Sequence, residues 1–501
     1  MKITATDLYS YIKCPHRVWR DAFDDQSLKD PPNEFVQLLW EKGTAHEREI
    51  IAQQKGKVEI LDLSGIPREV RFEKTLEAMR KKVPYIYQGY LEVDELVGKP
   101  DLLELQPSGE YIPIDIKSGM GLKGSDTTEE DEEGKLKKEY AVQIGLYIDA
   151  LIRLGFLKRN FGRILDSRGS LVDYDLNTPQ GVKNPQTWWE FYLNVLGQVA
   201  SLYDKRVQTE PALGGVCKMC EWYTNCKQAC IRSNCTTLIP EVGRSRKDAL
   251  RSLATTVKDL SKIDMKAFAL AKTRLGIKGI GEKTFEKMSR RARLLSSGRK
   301  EPVLLSQFIL PDRPIELFFD IEADPTQDIV YMHGAVERRK GQARGEFHSF
   351  VAKDVSQDEE KRAWAEFWAY IKALPKDEWV MYYYSKYERT QYRRLAELYP
   401  DVADAQEVEW LFDPVRGIDL YFDIVYRHTD WPTYNYSVKT LAQHLGFKWR
   451  DENPSGAASI QWFNEWCQSK DGNILQRILD YNEDDCLAMV VLKDRLQELV
   501  Q

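Results

Sequence analysis

The chain has 501 residues, of which 43% are hydrophobic, 30% charged and 11% aromatic, and its net charge is −6. This composition excludes a low-complexity or disordered chain, and no apolar run approaches the roughly 20 residues that a membrane span needs. The slightly acidic balance excludes a global attraction to nucleic acid, so any such affinity has to come from local basic patches.

The opening MKITATDLYSYIKC lacks the apolar stretch of a secretory signal, so a cytoplasmic protein is expected. In that compartment clustered cysteines favour metal over disulfides. Helical patterns cover 5–23 and 34–53, the second running past Gly43 and His46. Extended patterns follow at 85–94, 101–105 and 111–117, punctuated by Gly98-Lys99-Pro100 and Pro107-Ser108-Gly109. A helix over 136–154, strands near 161–166 and 171–174 and a helix over 185–204 complete an α/β order.

Asp115-Ile116-Lys117 sets two side chains on one face of a strand, because strand side chains alternate with period two. A carboxylate there can hold a divalent ion, while the lysine beside it orients a water or offsets developing charge during phosphodiester hydrolysis. Asp101 supplies a second carboxylate, and His46 offers an imidazole, which suits Mn better than Mg. Gln143 and Tyr147 lie one helical turn apart, so both reach the same side of their helix.

The chain has eight cysteines, and Cys217, Cys220 and Cys226 form a Cys-x2-Cys-x5-Cys run. With Cys14 they make four thiolates, which fit either an iron-sulfur cluster or zinc. Cys230 and Cys235 extend the run, and either can stand in for Cys14.

His46, Gly98-x-x-Asp101, Asp115-x-Lys117, Gln143-x-x-x-Tyr147 and the cysteines, in that order, resemble the iron-sulfur subset of the RecB-like PD-(D/E)xK nucleases. The resemblance covers about residues 1–230 and implies a restriction-endonuclease-like fold. It implies a 4Fe-4S cluster on Cys14, Cys217, Cys220 and Cys226, and a Mg- or Mn-dependent cut in DNA using Asp101, Asp115, Lys117, Gln143, Tyr147 and His46.

Residues 236–305 read as short helices around Leu275-Gly276-Ile277-Lys278-Gly279-Ile280-Gly281-Glu282-Lys283. From 272 to 300 there are ten Lys/Arg against Glu282 and Glu286, whereas 126–133 holds six acids in eight residues, a pattern of a solvated loop. The glycine turn resembles the hairpin of helix-hairpin-helix modules. That implies backbone contacts to DNA phosphates through Lys278, Gly279, Gly281 and Lys283, extended by Arg290, Arg291 and Arg293, without reading of sequence.

Residues 306–501 restart with an apolar strand at 315–321 and end in a long helix over 474–499. Asp320 and Glu322 share one face of the strand, and burying an acid pair is costly unless a cation neutralises it. Tyr481 and Asp485 are helical neighbours four apart. Glu388, in Tyr384-Ser385-Lys386-Tyr387-Glu388, is a further acid, with Asp419 as its alternative. This set resembles the tyrosine-bearing four-acid class of DnaQ-like exonucleases and the YprB-type domain of the RNase H-like fold. It implies two metals roughly 4 Å apart on Asp320, Glu322, Glu388 and Asp485, with Tyr481 orienting the attacking water.

The expectation is therefore an α/β multidomain, metal-dependent DNA nuclease with two hydrolytic sites and domains at 1–235, 236–305 and 306–501. Its partner is DNA, as single strands or duplex ends. RNA is the alternative substrate of the last domain, and a decayed nucleic-acid-binding adaptor is the non-enzyme alternative. There is no Gly-x4-Gly-Lys-Ser/Thr phosphate loop, so unwinding would need a separate helicase.

Overall fold

The computed structural model describes residues 1–32, 34–54, 58–123, 134–181, 184–452 and 455–501. The acidic run at 126–133 lies outside them. The chain divides into two compact units, Met1–Pro31, Gln37–Pro211 and Val216–Asn225 forming the first, and Pro32–Val36, Ala212–Gly215 and Cys226–Gln501 the second. No described helix is long and apolar enough to cross a membrane.

The first unit opens with β1 (Ile3–Thr4), α1 (Ala5–Lys13) and α2 (Pro15–Phe23). The sequence pattern predicts one helix over 5–23, but the structure breaks it at Cys14, whose φ of −162° and ψ of 108° are extended. Pro15 is the cause: it cannot donate to the helix ladder, it disfavours helical backbone one residue earlier, and its fixed φ suits the start of a new helix. Then come α3 (Glu34–Gln54), β2 (Ile60–Asp62), α4 (Arg68–Arg80), β3 (Tyr85–Tyr87), β4 (Leu91–Val93), β5 (Leu96–Gly98), β6 (Leu102–Leu105) and β7 (Tyr111–Ile116). After α5 (Lys138–Arg153), β8 (Phe161–Leu165) and β9 (Leu171–Asp175), the β10 (Pro179–Gly181) and β11 (Asn184–Thr187) hairpin leads into α6 (Trp188–Tyr203).

Six strands form a mixed sheet in the order β2-β3-β6-β7-β8-β9, and β1, β5 and β4 form a smaller one. α5 lies against β5, β7 and β8 and is covered in turn by α1 and α6. The core between them is built from residues such as Leu8, Leu103, Ile112, Ile144, Ile148, Ile164 and Val199. A second cluster joins Ile51 of α3 to Tyr87 and Ile116.

In the second unit, α8 (Arg244–Leu250), α9 (Val257–Ser261), α10 (Met265–Leu275) and α11 (Glu282–Ser296) follow α7 (Tyr223–Arg232) and enclose Leu260, Phe268, Ile277, Ile280 and Phe285. Phe268 and Phe285 stack with ring centroids 3.8 Å apart and tie α10 to α11. Next come β12 (Val303–Leu304), β13 (Ile315–Asp324), β14 (Ile329–Arg339), β15 (Glu346–Val351), α12 (Gln357–Ala373), β16 (Trp379–Tyr383), α13 (Tyr387–Leu398) and α14 (Ala405–Leu411). The chain ends through β17 (Gly417–Asp419), α15 (Tyr426–His428), β18 (Thr429–Asp430), α16 (Val438–His444), α17 (Gly456–Ser469) and α18 (Gly472–Val500).

The five-stranded sheet runs β15-β14-β13-β16-β17, with β13 central, antiparallel to β14 and parallel to β16. β13 has two buried faces. Ile315, Leu317, Phe319 and Ile321 pack with Trp364, Phe367 and Trp368 of α12, whereas Phe318 packs in the cluster that holds Cys486, Met489 and Leu492 of α18. By the two-residue period, Asp320 and Glu322 share Phe318's face and point toward α18.

Candidate functional site

The second unit brings three acids together. Asp320 and Glu322 from β13 and Asp485 from α18 each offer a carboxylate oxygen, and these lie within 4.8 Å of one another. Asn482, one turn before Asp485, donates from Nδ2 to Asp320 Oδ2 at 3.0 Å and to Glu322 Oε1 at 3.3 Å. Its side chain fills space left by Gly334, which pairs with Asp320 across β13 and β14; a Cβ at Gly334 would sit 1.7 Å from Asn482 Oδ1. Trp449 Nε1 donates to Asp485 Oδ1 at 2.7 Å. Tyr481 is buried, and its hydroxyl accepts from Lys439 Nζ at 2.7 Å.

Electrostatics mark the group as a cation site. Burial, then Glu322, Asp485 and Glu388, hold the Asp320 carboxyl well above its ordinary range. Burial and then Asp485 push Glu322 up to about 8. Asp485 is raised as well, first by burial. Carboxyls that resist ionisation in one another's company give up that resistance when a divalent ion enters, which is the chemistry of a metal-binding acid set. The three residues therefore fit one or more hard divalent ions such as Mg or Mn.

Glu388, at the start of α13, is 4% exposed, and its Oε2 is buried without a hydrogen-bond partner. Burial raises its pKa well above the ordinary range, and its charge acts on Asp320. Asp419, the alternative in the sequence, is differently employed: its Oδ1 accepts from Tyr421 N at 2.9 Å, Phe422 N at 3.0 Å and Ser385 N at 3.2 Å, so it caps the turn after β17.

A second acidic set lies in the first unit. Asp101 Oδ2 accepts from Ile116 N at 2.8 Å, and its Oδ1 accepts from Gln88 Nε2 at 3.3 Å. Asp115 forms an ion pair with Lys117 at 2.5 Å, and Lys117 Nζ donates to Gln143 Oε1 at 3.0 Å. Gln143 Nε2 reaches Tyr147 OH at 3.5 Å. Burial, then Asp115 and Glu47, raise Asp101 well above its ordinary pKa. Burial would lower the Lys117 ammonium, but Asp115 and then Asp101 outweigh it and keep Lys117 charged. His46 Nε2 is buried without a hydrogen-bond partner. Gly98 is required here, since a Cβ on it would meet the Tyr147 ring at 2.7 Å.

Residues 317–497 match the RNase_H_2 family model of the RNase_H superfamily. The matched stretch begins in β13 and ends in α18, so it contains all three acids of the group in the second unit. It is an RNase H-like domain, and RNase H-like nucleases act on nucleic acid with divalent metals. Among curated proteins, none matches this chain.

Among the described residues no three cysteine thiols lie within 4.8 Å of one another. Four thiolates on a zinc at about 2.3 Å stand roughly 4 Å apart, and among the described residues only the Asp320 group brings three donors within 4.8 Å. Cys14, Cys217 and Cys220 belong to the first unit, whereas Cys226, Cys230 and Cys235 belong to the second. Within the first unit the segment after Cys220 does return to the helix after Cys14: Trp222 Nε1 donates to Asp21 Oδ1 at 2.9 Å, and Arg20 lies 4.2 Å from the Trp222 ring. None of the eight cysteines is in a disulfide.

The glycine turn between α10 and α11 leaves Lys278, Gly279, Gly281 and Lys283 exposed while Ile277 and Ile280 are buried beneath it. Gly276 and Gly279 have φ of 64° and 75°, the left-handed region that favours glycine. Part of the basic charge counted in the sequence is used elsewhere. Arg290 and Arg291 both bind Asp430, at 2.5 and 2.8 Å, and Arg291 is 1% exposed, so these two arginines brace the fold rather than extend a phosphate-binding surface.

Sequence reasoning missed Glu47, Asn482, Lys439 and Trp449. Glu47 follows His46 directly, and Gln88 donates to both Glu47 and Asp101. Asn482 sits inside Tyr481-x3-Asp485, where its spacing already placed it one turn from Asp485. Lys439 and Trp449 carry no local signal.

Proposed function

We propose that this protein is a metal-dependent nuclease with two hydrolytic sites, an exonuclease site in the RNase H-like domain and a second site around Asp101 and Asp115, acting on DNA. The observation that carries this reading is the group of Asp320, Glu322 and Asp485, the last two buried, whose carboxylate oxygens lie within 4.8 Å of one another. Together with Glu388 these residues would hold divalent ions, which supply charge for the phosphate and an acidified water for attack. Asn482 fixes the two β13 carboxylates, Trp449 fixes Asp485, and Tyr481, whose burial keeps it a phenol, presents a hydroxyl to the reacting phosphate or water.

In the first unit Asp101, Asp115 and His46 would hold a metal, and Lys117, kept cationic by Asp115, would offset charge at the phosphate. Gln143 and Tyr147 orient the lysine. Lys278, Gly279, Gly281 and Lys283 would bind the phosphate backbone by charge and exposed N–H groups. A 4Fe-4S cluster on Cys14, Cys217, Cys220 and Cys226 rests on cysteine spacing and resemblance. A brown protein with broad visible absorption supports it, and a colourless protein overturns it.

The test is cleavage of matched end-labelled DNA, RNA and hybrid strands with Mg or Mn. Metal-dependent shortening that favours DNA and falls in Asp320→Ala supports the reading. Equal turnover by Asp320→Ala and wild type, or preference for RNA, overturns it for this site.

A further inference from the structure

The acid group in the RNase H-like domain contains a lysine from a distant element. Lys439, the second residue of α16, places Nζ 2.7 Å from Tyr481 OH and 3.8 Å from Asp485 Oδ2. The same ammonium lies 4.5 Å from the centre of the Tyr481 ring and 5.9 Å from that of Trp449. Trp449 in turn holds the other Asp485 oxygen. Lys439, Tyr481, Trp449 and Asp485 thus form a closed set of contacts on one side of the site.

An ammonium can only donate, so Lys439 occupies the lone pair of the Tyr481 oxygen. The phenol then has its own proton to give. With Lys439 on the acceptor side, the phenol proton is turned toward Asp485, its neighbour four residues on. The charge of Lys439 also opposes the mutual repulsion of the acids: its Nζ stands 3.8 Å from Asp485 Oδ2, in a group whose carboxylate oxygens lie within 4.8 Å of one another. The acid cluster therefore carries its own counter-cation, one that a divalent ion has to tolerate.

We propose that Lys439 is a positioning residue of the nuclease site, fixing Tyr481 as a hydrogen-bond donor to the scissile phosphate and setting the metal affinity of the acids by its charge. This inference rests on the nuclease reading above. It differs from a packing role in one measurable respect. Loss of a residue that merely supports the fold weakens both turnover and metal binding, whereas loss of a resident cation weakens turnover and tightens metal binding.

The test uses the full chain and its Lys439→Met, Lys439→Arg, Tyr481→Phe and Lys439→Met/Tyr481→Phe variants, read by single-turnover cleavage and by calorimetric titration with manganese alone. Lys439→Met is expected to lose about ten- to a hundredfold in rate and to bind manganese on the order of tenfold more tightly. Lys439→Arg, which keeps a cation and a donor, recovers most of the rate. The double variant is no slower than the slower single one, as for residues that act as a unit. An unchanged rate in Lys439→Met, weaker manganese binding, or rate losses that multiply in the double variant would each overturn the inference. A wild type that binds manganese but cleaves nothing overturns the nuclease reading instead, and the manganese affinities still decide how the charge of Lys439 acts.

Discussion

Gly334→Ala tests the site through a residue with no chemistry of its own. The added methyl would lie 1.7 Å from Asn482 Oδ1 and 3.1 Å from Phe347 Cε2, so the Asn482 amide has to leave its place between Asp320 and Glu322. Crowding of this kind in a packed interior costs about 1–3 kcal/mol of stability. The displaced amide also gives up its bonds to the two acids, and a bond to a charged acceptor contributes about 1.5–3 kcal/mol. If that ordering is felt at the transition state, kcat falls about ten- to a hundredfold. The assay is single-turnover cleavage of an end-labelled strand with manganese, paired with thermal unfolding. Asn482→Ala should lose a similar factor in rate with a smaller loss of stability, and Gly334→Ala/Asn482→Ala should be no slower than Asn482→Ala, because the methyl then occupies vacated space. Full activity in Gly334→Ala, or a further tenfold loss in the double variant, would show that Asn482 does not order the two acids.

Other consequences concern the second site, the fold and the metal. Gly98→Ala should loosen Tyr147 from β5, lower the midpoint of thermal unfolding and reduce the cleavage that remains in Asp320→Ala protein, since its Cβ would meet the Tyr147 ring at 2.7 Å. Arg291→Ala, which takes a buried guanidinium from Asp430, should destabilise by about 3–5 kcal/mol in denaturant titration while leaving affinity for DNA unchanged. Lys278→Ala/Lys283→Ala should do the reverse, preserving stability and reducing the salt dependence of DNA binding by about two phosphate contacts in a filter-binding series. Glu322 titrates near 8 in the fold against 4.5 when free, so the native state binds the extra proton and the metal-free protein loses stability as pH rises from about 4.5 to about 8. Thermal unfolding with and without manganese should therefore show a larger stabilisation by metal at pH 8 than at pH 5; equal stabilisation at both would contradict the acid-cluster account.

The sequence was most legible where side chains act over short distances in one element. The alternation of Ile315, Leu317, Phe319 and Ile321 with Phe318, Asp320 and Glu322 reports a strand buried on both faces, and only one of those faces carries acids. Tyr481 and Asp485 follow from helical spacing in the same way. The break at Cys14 was legible in Pro15, although the hydrophobic pattern ran through it. What the sequence concealed depends on chain reversal. Lys439 reaches Tyr481 and Asp485 from another helix, and Gly334 is small because of an asparagine far along the chain. Local charge counting also misled, since Arg290 and Arg291 lie in the basic stretch by sequence but bind Asp430 in space. Glu47 was overshadowed by its neighbour His46, whose imidazole is the more conspicuous ligand type.

The two metal-dependent sites proposed for this chain are separated by four proteins in one assay: wild type, Asp115→Ala, Asp320→Ala and the double variant, each with end-labelled DNA and manganese. Each single variant should retain part of the cleavage, with a different product pattern, and the double variant should retain none. Full cleavage by the double variant would contradict both sites, and loss of all cleavage in Asp320→Ala alone would reduce the protein to a single nuclease site.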